Sequence, residues 1–481
     1  MNKVFKGTIW KLIQQYGSYA VKFAVQIFLA RLLSPSEFGT IAEVLVFISI
    51  AETLAISGMG KALIQKKISV DGLDYSTVLV SSLLFSTLLY ILLFFLSPAV
   101  SAFYEEDILT IVLRIYGISI FLASIQSIQL AYVANNYLFK HSSIFSLISA
   151  VVSGAIAIVL AYNGIGIWAL VIQSIINSAL LITLHQFIIK WKVSFKFSYE
   201  RFKTLFSFAW KLLVSTLLGT LMENVYNLSI GKYYGDEMLG HYNRGNTYSN
   251  IVVGQTRTAL TATTLPFFAE HQNDNQKLLD SIRKTTRLSC VVSFPLVSGF
   301  MAVATQFVLV FLTEKWLPCV FFLRLECIFY CFLSITTGIK NGFLARGKSW
   351  IGMFTESLKL LLLILCILTL NSKGIYVLCI ARIIVSVFTL FLNFVFAWKI
   401  LGYNIWLIIK DITVPFVCSF LMGVAVFLVS FIPINVILVL LIQVALGVGL
   451  YGLLALLFMR KDVLWILSQF FIRKKMNSEN E

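Results

Sequence analysis

Charge is what this sequence most lacks. Only 12% of its 481 residues are Asp, Glu, Lys or Arg, while 59% are hydrophobic and mean hydropathy is +0.89. Soluble domains carry roughly 25% charged residues, so no water-surrounded domain could be built from this chain and lipid must be its solvent. Long polar connections are missing too. The largest, 189–203 and 266–281, are too short to fold alone, which weakens any reading as an enzyme with a soluble catalytic domain. No GxxxxGK[ST] phosphate loop occurs, so ATP is not the direct energy source. The four histidines, His141, His185, His241 and His271, are scattered. The seven cysteines (Cys290, Cys319, Cys327, Cys331, Cys366, Cys379 and Cys418) all lie in the second half, mostly in apolar runs. Cys327 and Cys331 share a helix face, but no His or Cys pair stands near to complete a metal site. Packing thiols are the expectation, with no metal and no cofactor. The basic N-terminal stretch is followed by no small-residue cleavage pattern, so a retained first span is expected rather than a removed signal.

What is present is a succession of apolar runs. A helix needs about 20 mostly apolar residues to cross the ~30 Å hydrocarbon core. With Pro, Gly and charge clusters as punctuation, fourteen spans are expected: 8–33, 38–62, 76–100, 107–134, 143–163, 165–188, 204–230, 238–265, 282–312, 318–345, 350–371, 374–398, 411–432 and 435–459. Spans 8 and 10 are the most polar. Basic residues sort by side. Connections of one parity hold 25 Lys and Arg, and those of the other hold Arg31, Lys232, Lys315 and Lys373. By the positive-inside rule the rich side is cytoplasmic. Both termini then lie in the cytoplasm, and the net charge of +16 marks topology rather than a nucleic-acid surface.

The two halves echo each other. The turn Ala30-Arg31-Leu32-Leu33-Ser34-Pro35-Ser36-Glu37-Phe38-Gly39 after span 1 is matched 201 residues on by Gly231-Lys232-Tyr233-Tyr234-Gly235-Asp236-Glu237-Met238-Leu239-Gly240. Asn163-Gly164-Ile165-Gly166-Ile167-Trp168-Ala169-Leu170 is matched 208 residues on by Asn371-Ser372-Lys373-Gly374-Ile375-Tyr376-Val377-Leu378. The expected fold is therefore all-α and polytopic. It has an N-lobe of six helices (1–203), a C-lobe of six (204–410), two extra spans (411–459) and a cytoplasmic tail (460–481), with a central cavity between the lobes. Parallel repeats about an axis along the membrane normal are a known carrier plan, in which rocking lobes expose the cavity to each side in turn.

At these residues the sequence resembles a known family. The Leu-Ser-Pro-Ser-Glu-Phe-Gly turn after a basic amphipathic span, the Gly-Ile-Gly-Ile-Trp-Ala-Leu turn and the 6+6+2 layout are similar to bacterial polysaccharide exporters of the Wzx flippase type. These belong to the multidrug/oligosaccharidyl-lipid/polysaccharide (MOP) exporter superfamily. The resemblance covers nearly the whole chain. It implies a flippase that moves undecaprenyl-pyrophosphate-linked oligosaccharide from the inner to the outer leaflet of the bacterial cell (inner) membrane, for O-antigen (lipopolysaccharide), capsule or a related exopolysaccharide. It also implies membrane lipid, a polysaccharide polymerase and a chain-length regulator as partners, and no nucleic acid.

Apart from those near the span ends, fourteen charges fall inside the expected spans: the bases Lys22, Arg114, Lys211, Arg244, Arg257, Arg324, Lys340, Lys359 and Arg382, and the acids Glu43, Glu52, Glu223, Glu326 and Glu356. Each would cost about 2.5–3.5 kcal/mol at a lipid-facing helix centre, so many must face water or each other. Lys22 lies about 16–21 Å of helix rise from either end of span 1. It shares one helix face with Lys11, Gln15, Ser18 and Gln26. Span 8 has a stripe of its own: Asn243, Thr247, Asn250, Gly254, Arg257 and Thr261. Lys22, Gln26, Lys211, Arg244, Asn250 and Arg257 are thus candidate ligands of an anionic headgroup, since Lys and Arg replace hydration with charge-assisted hydrogen bonds. Tyr226, Tyr242 and Tyr248 are candidates for sugar faces. Glu43, Glu52 and Glu223 are candidates for proton or sodium coupling. Blander roles stand beside these: Lys211 and Lys340 snorkelling to an interface, Glu356 pairing with Lys359, Lys22 pairing with Glu52, and Glu105-Glu106-Asp107 forming a solvated loop and helix start. An ion-coupled multidrug exporter would favour an acidic interior, against nine bases and five acids here. A membrane enzyme of glycan assembly would need clustered carboxylates or histidines at an outer surface.

Overall fold

In hydrocarbon each backbone N–H and C=O needs a partner from its own segment, and long apolar runs meet that need as helices. The computed structural model of the chain describes the backbone of residues 2–66, 70–189, 191, 194–254, 268, 274–460, 462 and 464, and the side chains of these from residue 17 onward, except 275 and 349. The described residues are helical almost throughout and contain no strand. Twelve helical stretches among them are long and apolar enough to cross a membrane, against the fourteen expected. The helix α1 (Asn2–Leu32) stands outside the twelve. Expected spans 7 and 8 are two helices that meet at a kink within Tyr199–Ser249, where Gly235 takes φ 82°, ψ 168°. That conformation is open to glycine and costly for any other residue, so the break needs no polar loop to mark it. The chain forms two compact units, Met1–Asn243 and Arg244–Glu481.

The first unit holds α1, α2 (Pro35–Ile56), α3 (Met59–Lys66), α4 (Gly72–Tyr104), α5 (Ile108–Tyr116), α6 (Ser119–Asn135), α7 (Phe139–Tyr162), α8 (Trp168–Gln186) and most of α9 (Tyr199–Ser249). Small residues seat α1 along α7. A Cβ on Gly154 would stand 2.4 Å from Val25, and the Ser18 and Ser146 hydroxyls are 3.3 Å apart. Such residues let helices approach closely where lipid supplies no hydrophobic drive. Ser34 caps α2 with a reciprocal Glu37 bond and Pro35 at the first position, the arrangement helix starts favour. At the other end of the unit Asp71 and Asp74 form a second capping box for α4. Lys66 bonds the fully buried Asp74 at 2.8 Å, and Arg201 reaches both carboxylates.

The two echoing turns of the sequence meet in this unit. A Cβ on Gly39 would lie 1.7 Å from the carbonyl oxygen of Asp236, and one on Gly240 would lie 1.9 Å from that of Pro35. Position 236 is 35 plus 201, and 240 is 39 plus 201, so the contact repeats itself under the offset found in the sequence. Two helices thus cross backbone to backbone at equivalent glycines.

The second unit holds the end of α9, α10 (Asn275–Phe307), α11 (Cys319–Ala345), α12 (Ser349–Leu370), α13 (Ile375–Phe396), α14 (Ile405–Leu428) and α15 (Val436–Phe458). Helix α10 is N-capped by Asp274 and packs on α11, α14 and α15. Gly342 admits Ile282, and Gly423 admits Ser298. Arg283 forks onto the buried Asp411 at 2.9 and 3.1 Å, and the Tyr403 hydroxyl donates to the same carboxylate at 2.8 Å.

Two predictions follow from these contacts. Gly39→Ala or Gly240→Ala forces backbone apart and lowers stability by about 1–3 kcal/mol, read as a lower melting temperature in detergent, whereas Gly219→Ala, with open space around it, leaves it unchanged. Arg283→Ala strands Asp411 and costs about 3–5 kcal/mol. Adding Asp411→Asn to Arg283→Ala removes the stranded charge and recovers part of the loss in the same melting experiment.

Candidate functional site

The glycine crossing gathers carboxyl groups. Glu43 lies one turn after Gly39 on α2 and is only 2% exposed. Gly231 leaves room for its carboxyl, since a Cβ there would sit 2.5 Å from Glu43 Oε1, and Glu43 Oε2 meets no hydrogen-bond donor among the described residues. The Thr40 hydroxyl donates to the Ser36 carbonyl at 3.2 Å and lies 3.5 Å from Glu106 Oε1. The Ser36 hydroxyl donates to the Asp236 carboxylate. Glu106 stands beside Asp236, in the turn between α4 and α5. Glu105 caps α4 in the left-handed region at φ 64° and takes Lys232 at 3.2 Å. The expectation of a solvated trio at 105–107 is therefore corrected for Glu106, which is half-buried against α2. Its burial depends on the fold of a distant turn, which local composition does not report.

The other expected coupling acids differ from Glu43. Glu52 accepts a 2.7 Å bond from Ser119, not from Lys22, and Glu223 is exposed. Lys22 and Lys211 are exposed, and Gln26 is half-buried. Ser18, in the same stripe, turns to α7. In the second unit Arg244 is buried beside Tyr248 and Cys319, and Asn250 is exposed where a π-helical turn ends α9. Arg257 lies outside the described residues. The tyrosines expected at sugar faces are packed inside their units. Tyr226 stacks near Tyr242 at 6.4 Å, and Tyr248 meets Phe307 edge-on at 5.5 Å. Arg114 donates to Ser97 at 3.0 Å over the Phe94 ring, and Arg324 donates to the Met301 carbonyl and Thr305.

Within the second unit, α11, α12 and α13 line a small pocket of about 20 Å³ with both polar and apolar walls. Here the expected Glu356–Lys359 pair is corrected. Glu356 takes Lys340 from α11, Glu326 takes Arg382 from α13, and Lys359 lies over the Phe329 ring at 4.5 Å. Tertiary reach across helices prevails over spacing along one, so Lys340 is a partner rather than a snorkelling base. No group of His, Cys, Asp and Glu able to hold a metal occurs among the described residues.

The sequence profile of the family described as "Polysaccharide biosynthesis protein" matches residues 28–321, more than half of the chain. The chain belongs to that family. One relative to which the chain is similar is the teichuronic acid biosynthesis protein TuaB of Bacillus subtilis (strain 168), 28% identical over 389 residues and 79% of each chain. Another is the lipopolysaccharide biosynthesis protein WzxC of Escherichia coli (strain K12), 21% identical over 352 residues, 72% of this chain and 70% of that one. The resemblance to Wzx-type exporters is thus borne out. Among solved structures the fold is similar to that of the lipid II flippase MurJ in an inward closed conformation, with a TM-score of 0.79, 15% identity, and 95% of this chain and 100% of that chain covered. The chain is accordingly a multi-pass helical membrane protein.

Glu106 supplies the pH prediction. Burial first, and then the Asp236 carboxylate beside it, raise Glu106 from 4.5 to about 7. The folded chain keeps a proton there that the unfolded chain has given up, so its stabilising effect is complete below about pH 4.5 and is lost as pH rises through about 7. The melting temperature in detergent is expected to fall across that interval. Glu106→Gln flattens this part of the profile, and a profile identical to wild type would show the assignment to be wrong.

Proposed function

We propose that this chain is a flippase that carries undecaprenyl-pyrophosphate-linked oligosaccharide units from the cytoplasmic to the outer leaflet of the bacterial cell membrane. The reading rests on one observation: a member of a polysaccharide biosynthesis family is membrane helix nearly throughout, with no connection long enough for a soluble catalytic domain. Such a chain suits moving a glycan precursor better than making one, so the protein is a carrier and not an enzyme. Its orientation follows the basic residues, with both termini cytoplasmic. The repeat supports two six-helix lobes and two added helices working by alternating access around a central cavity.

Lys22, Lys211 and Arg257, with Gln26, Arg244 and Asn250, are the proposed ligands of the pyrophosphate and first sugars. Lys22 and Lys211 are exposed, Lys22 deep in its expected span and Lys211 nearer the cytoplasmic end of its own. Cationic groups in the membrane favour this anionic cargo over the cationic drugs of a multidrug exporter. Glu43 is the strongest of the three proposed coupling acids because it is buried with an unpartnered oxygen. A polymerase and a chain-length regulator that consume the delivered units are the proposed partners.

The test is translocation of a fluorescent undecaprenyl-pyrophosphate oligosaccharide in proteoliposomes. Lys22→Ala and Arg257→Ala are each expected to slow it about tenfold, the loss of one charge-assisted hydrogen bond of about 1.5 kcal/mol, at unchanged protein content. Normal rates in both variants would remove the cationic assignment.

A further inference from the structure

The pocket between α11, α12 and α13 is not explained by headgroup binding, and its charges do not balance. Five ionisable groups stand around it: Glu326 and Lys340 on α11, Glu356 and Lys359 on α12, and Arg382 on α13. Arg382 is held by Glu326 and Lys340 by Glu356. Lys359 is left over. It is 7% exposed and sits at the eleventh residue of the 22-residue α12, about 15 Å of helix rise from its start. Its ammonium lies 4.5 Å from the centroid of Phe329, a ring that also takes the Arg382 guanidinium at 4.2 Å. Among the described residues it has no carboxylate within salt-bridge distance.

The lining shows what the spare charge does not meet. The hydroxyls of Thr336, Thr355, Ser386 and Thr389 all donate to carbonyls of their own helices, and Asn393 Nδ2 donates to the Thr389 carbonyl at 2.7 Å. Asn393 Oδ1 is buried without a donor. The hydroxyl protons of the lining are thus used within their own helices, and the buried Lys359 ammonium meets no carboxylate among the described residues that would hold its charge in place. With Lys359 charged the five groups sum to +1; with Lys359 neutral they sum to zero and every remaining charge is paired. In a low-dielectric interior an unpaired ion is the costly member of such a set.

We propose that Lys359 is a proton-binding site inside the second unit, loaded and unloaded once in each transport cycle. This deepens the carrier reading and rests on it only for the word cycle. In unloading, an Nζ–H bond breaks, the electron pair stays on nitrogen, and the proton passes to solvent as hydronium; loading reverses this. No other co-reactant is needed.

The experiment uses the full chain in lipid nanodiscs, stepped from about pH 6 to about pH 9 in weak buffer with an indicator dye, a range below ordinary lysine titration. Wild type is expected to release about one proton per chain more than Lys359→Met. Lys340→Met tests the same idea without touching Lys359. It frees Glu356 to pair with the lysine three residues on, so the amine stays charged and the extra proton is lost there too. Circular dichroism and a monodisperse elution profile verify the fold of each variant. Equal proton release from wild type and folded Lys359→Met overturns the proposal, as does an unchanged release from Lys340→Met. Proton release that disappears in Lys359→Met while no lipid-linked oligosaccharide moves in wild-type vesicles would remove the transport reading and leave the proton site. Transport with proton release unaltered in Lys359→Met would do the reverse.

Discussion

The crossing of α2 with α9 at Gly39 and Gly240 is the constraint on which the first unit depends. Two backbones approach there so closely that neither glycine can carry a methyl group. Helix association in lipid draws on such close contact because lipid tails are as apolar as the side chains they would replace. The approach brings Asp236 to Ser36, Asp236 to Glu106 and Gly231 to Glu43, so the carboxyl cluster is a consequence of the crossing and not a separate device. Gly235, between the two contact positions of α9, supplies the bend at φ 82° that leads the chain onward.

The contact also bears on the origin of the fold. A chance likeness between two glycine-rich turns would give no reason for them to meet, nor for each glycine to face the carbonyl of the residue 201 positions from the other's own contact. A duplicated segment placing its copies about a two-fold axis produces that reciprocity directly. The duplication read in the sequence is therefore expressed as an interaction, with Pro35 and Asp236 in equivalent places.

Much of this was legible in the residues. Apolar runs gave the helices, and the turn read at Ser34-Pro35-Ser36 lies where α2 starts, capped by Ser34. What stayed hidden depended on distance in sequence. Glu356 and Lys359 are three apart on one helix, and local reasoning pairs them; Lys340, sixteen residues away, reaches Glu356 across the bundle and displaces that pairing. The break expected between spans 7 and 8, at the turn Gly231–Gly240, falls at Gly235, where a single glycine makes it. Arg114, Arg324 and Arg382 read as possible cavity groups from their depth alone, yet each is held within its own unit by a hydroxyl, a carbonyl or a carboxylate. Lys22 and Lys211, by contrast, are exposed on α1 and α9.

The last two helices show how buried polar pegs supplement apolar contact. Helices α14 and α15 expose long rows of large hydrophobic residues, among them Phe416, Phe420, Leu441 and Val448, as lipid-facing helices should. Their attachment to α10 adds directed bonds to an apolar cluster of Val291, Cys418 and Ala455: Arg283 to Asp411, the Ser298 hydroxyl to the Ser419 carbonyl at 2.7 Å, and the Tyr451 hydroxyl to the Val291 carbonyl at 2.6 Å. Gln443 ties α15 to α14 through the Val426 carbonyl at 3.1 Å. A hydrogen bond in hydrocarbon has no water to compete with it, though membrane measurements put most such bonds at only about 0.6 kcal/mol. Several at different depths fix the rotation of a helix that apolar packing alone would leave free to turn. The charged fork at Asp411 does more, because separating it would leave an ion in a buried place. Attachment of α14 and α15 is thus specified by a few polar positions, while the rest of their surface remains free to vary among apolar residues.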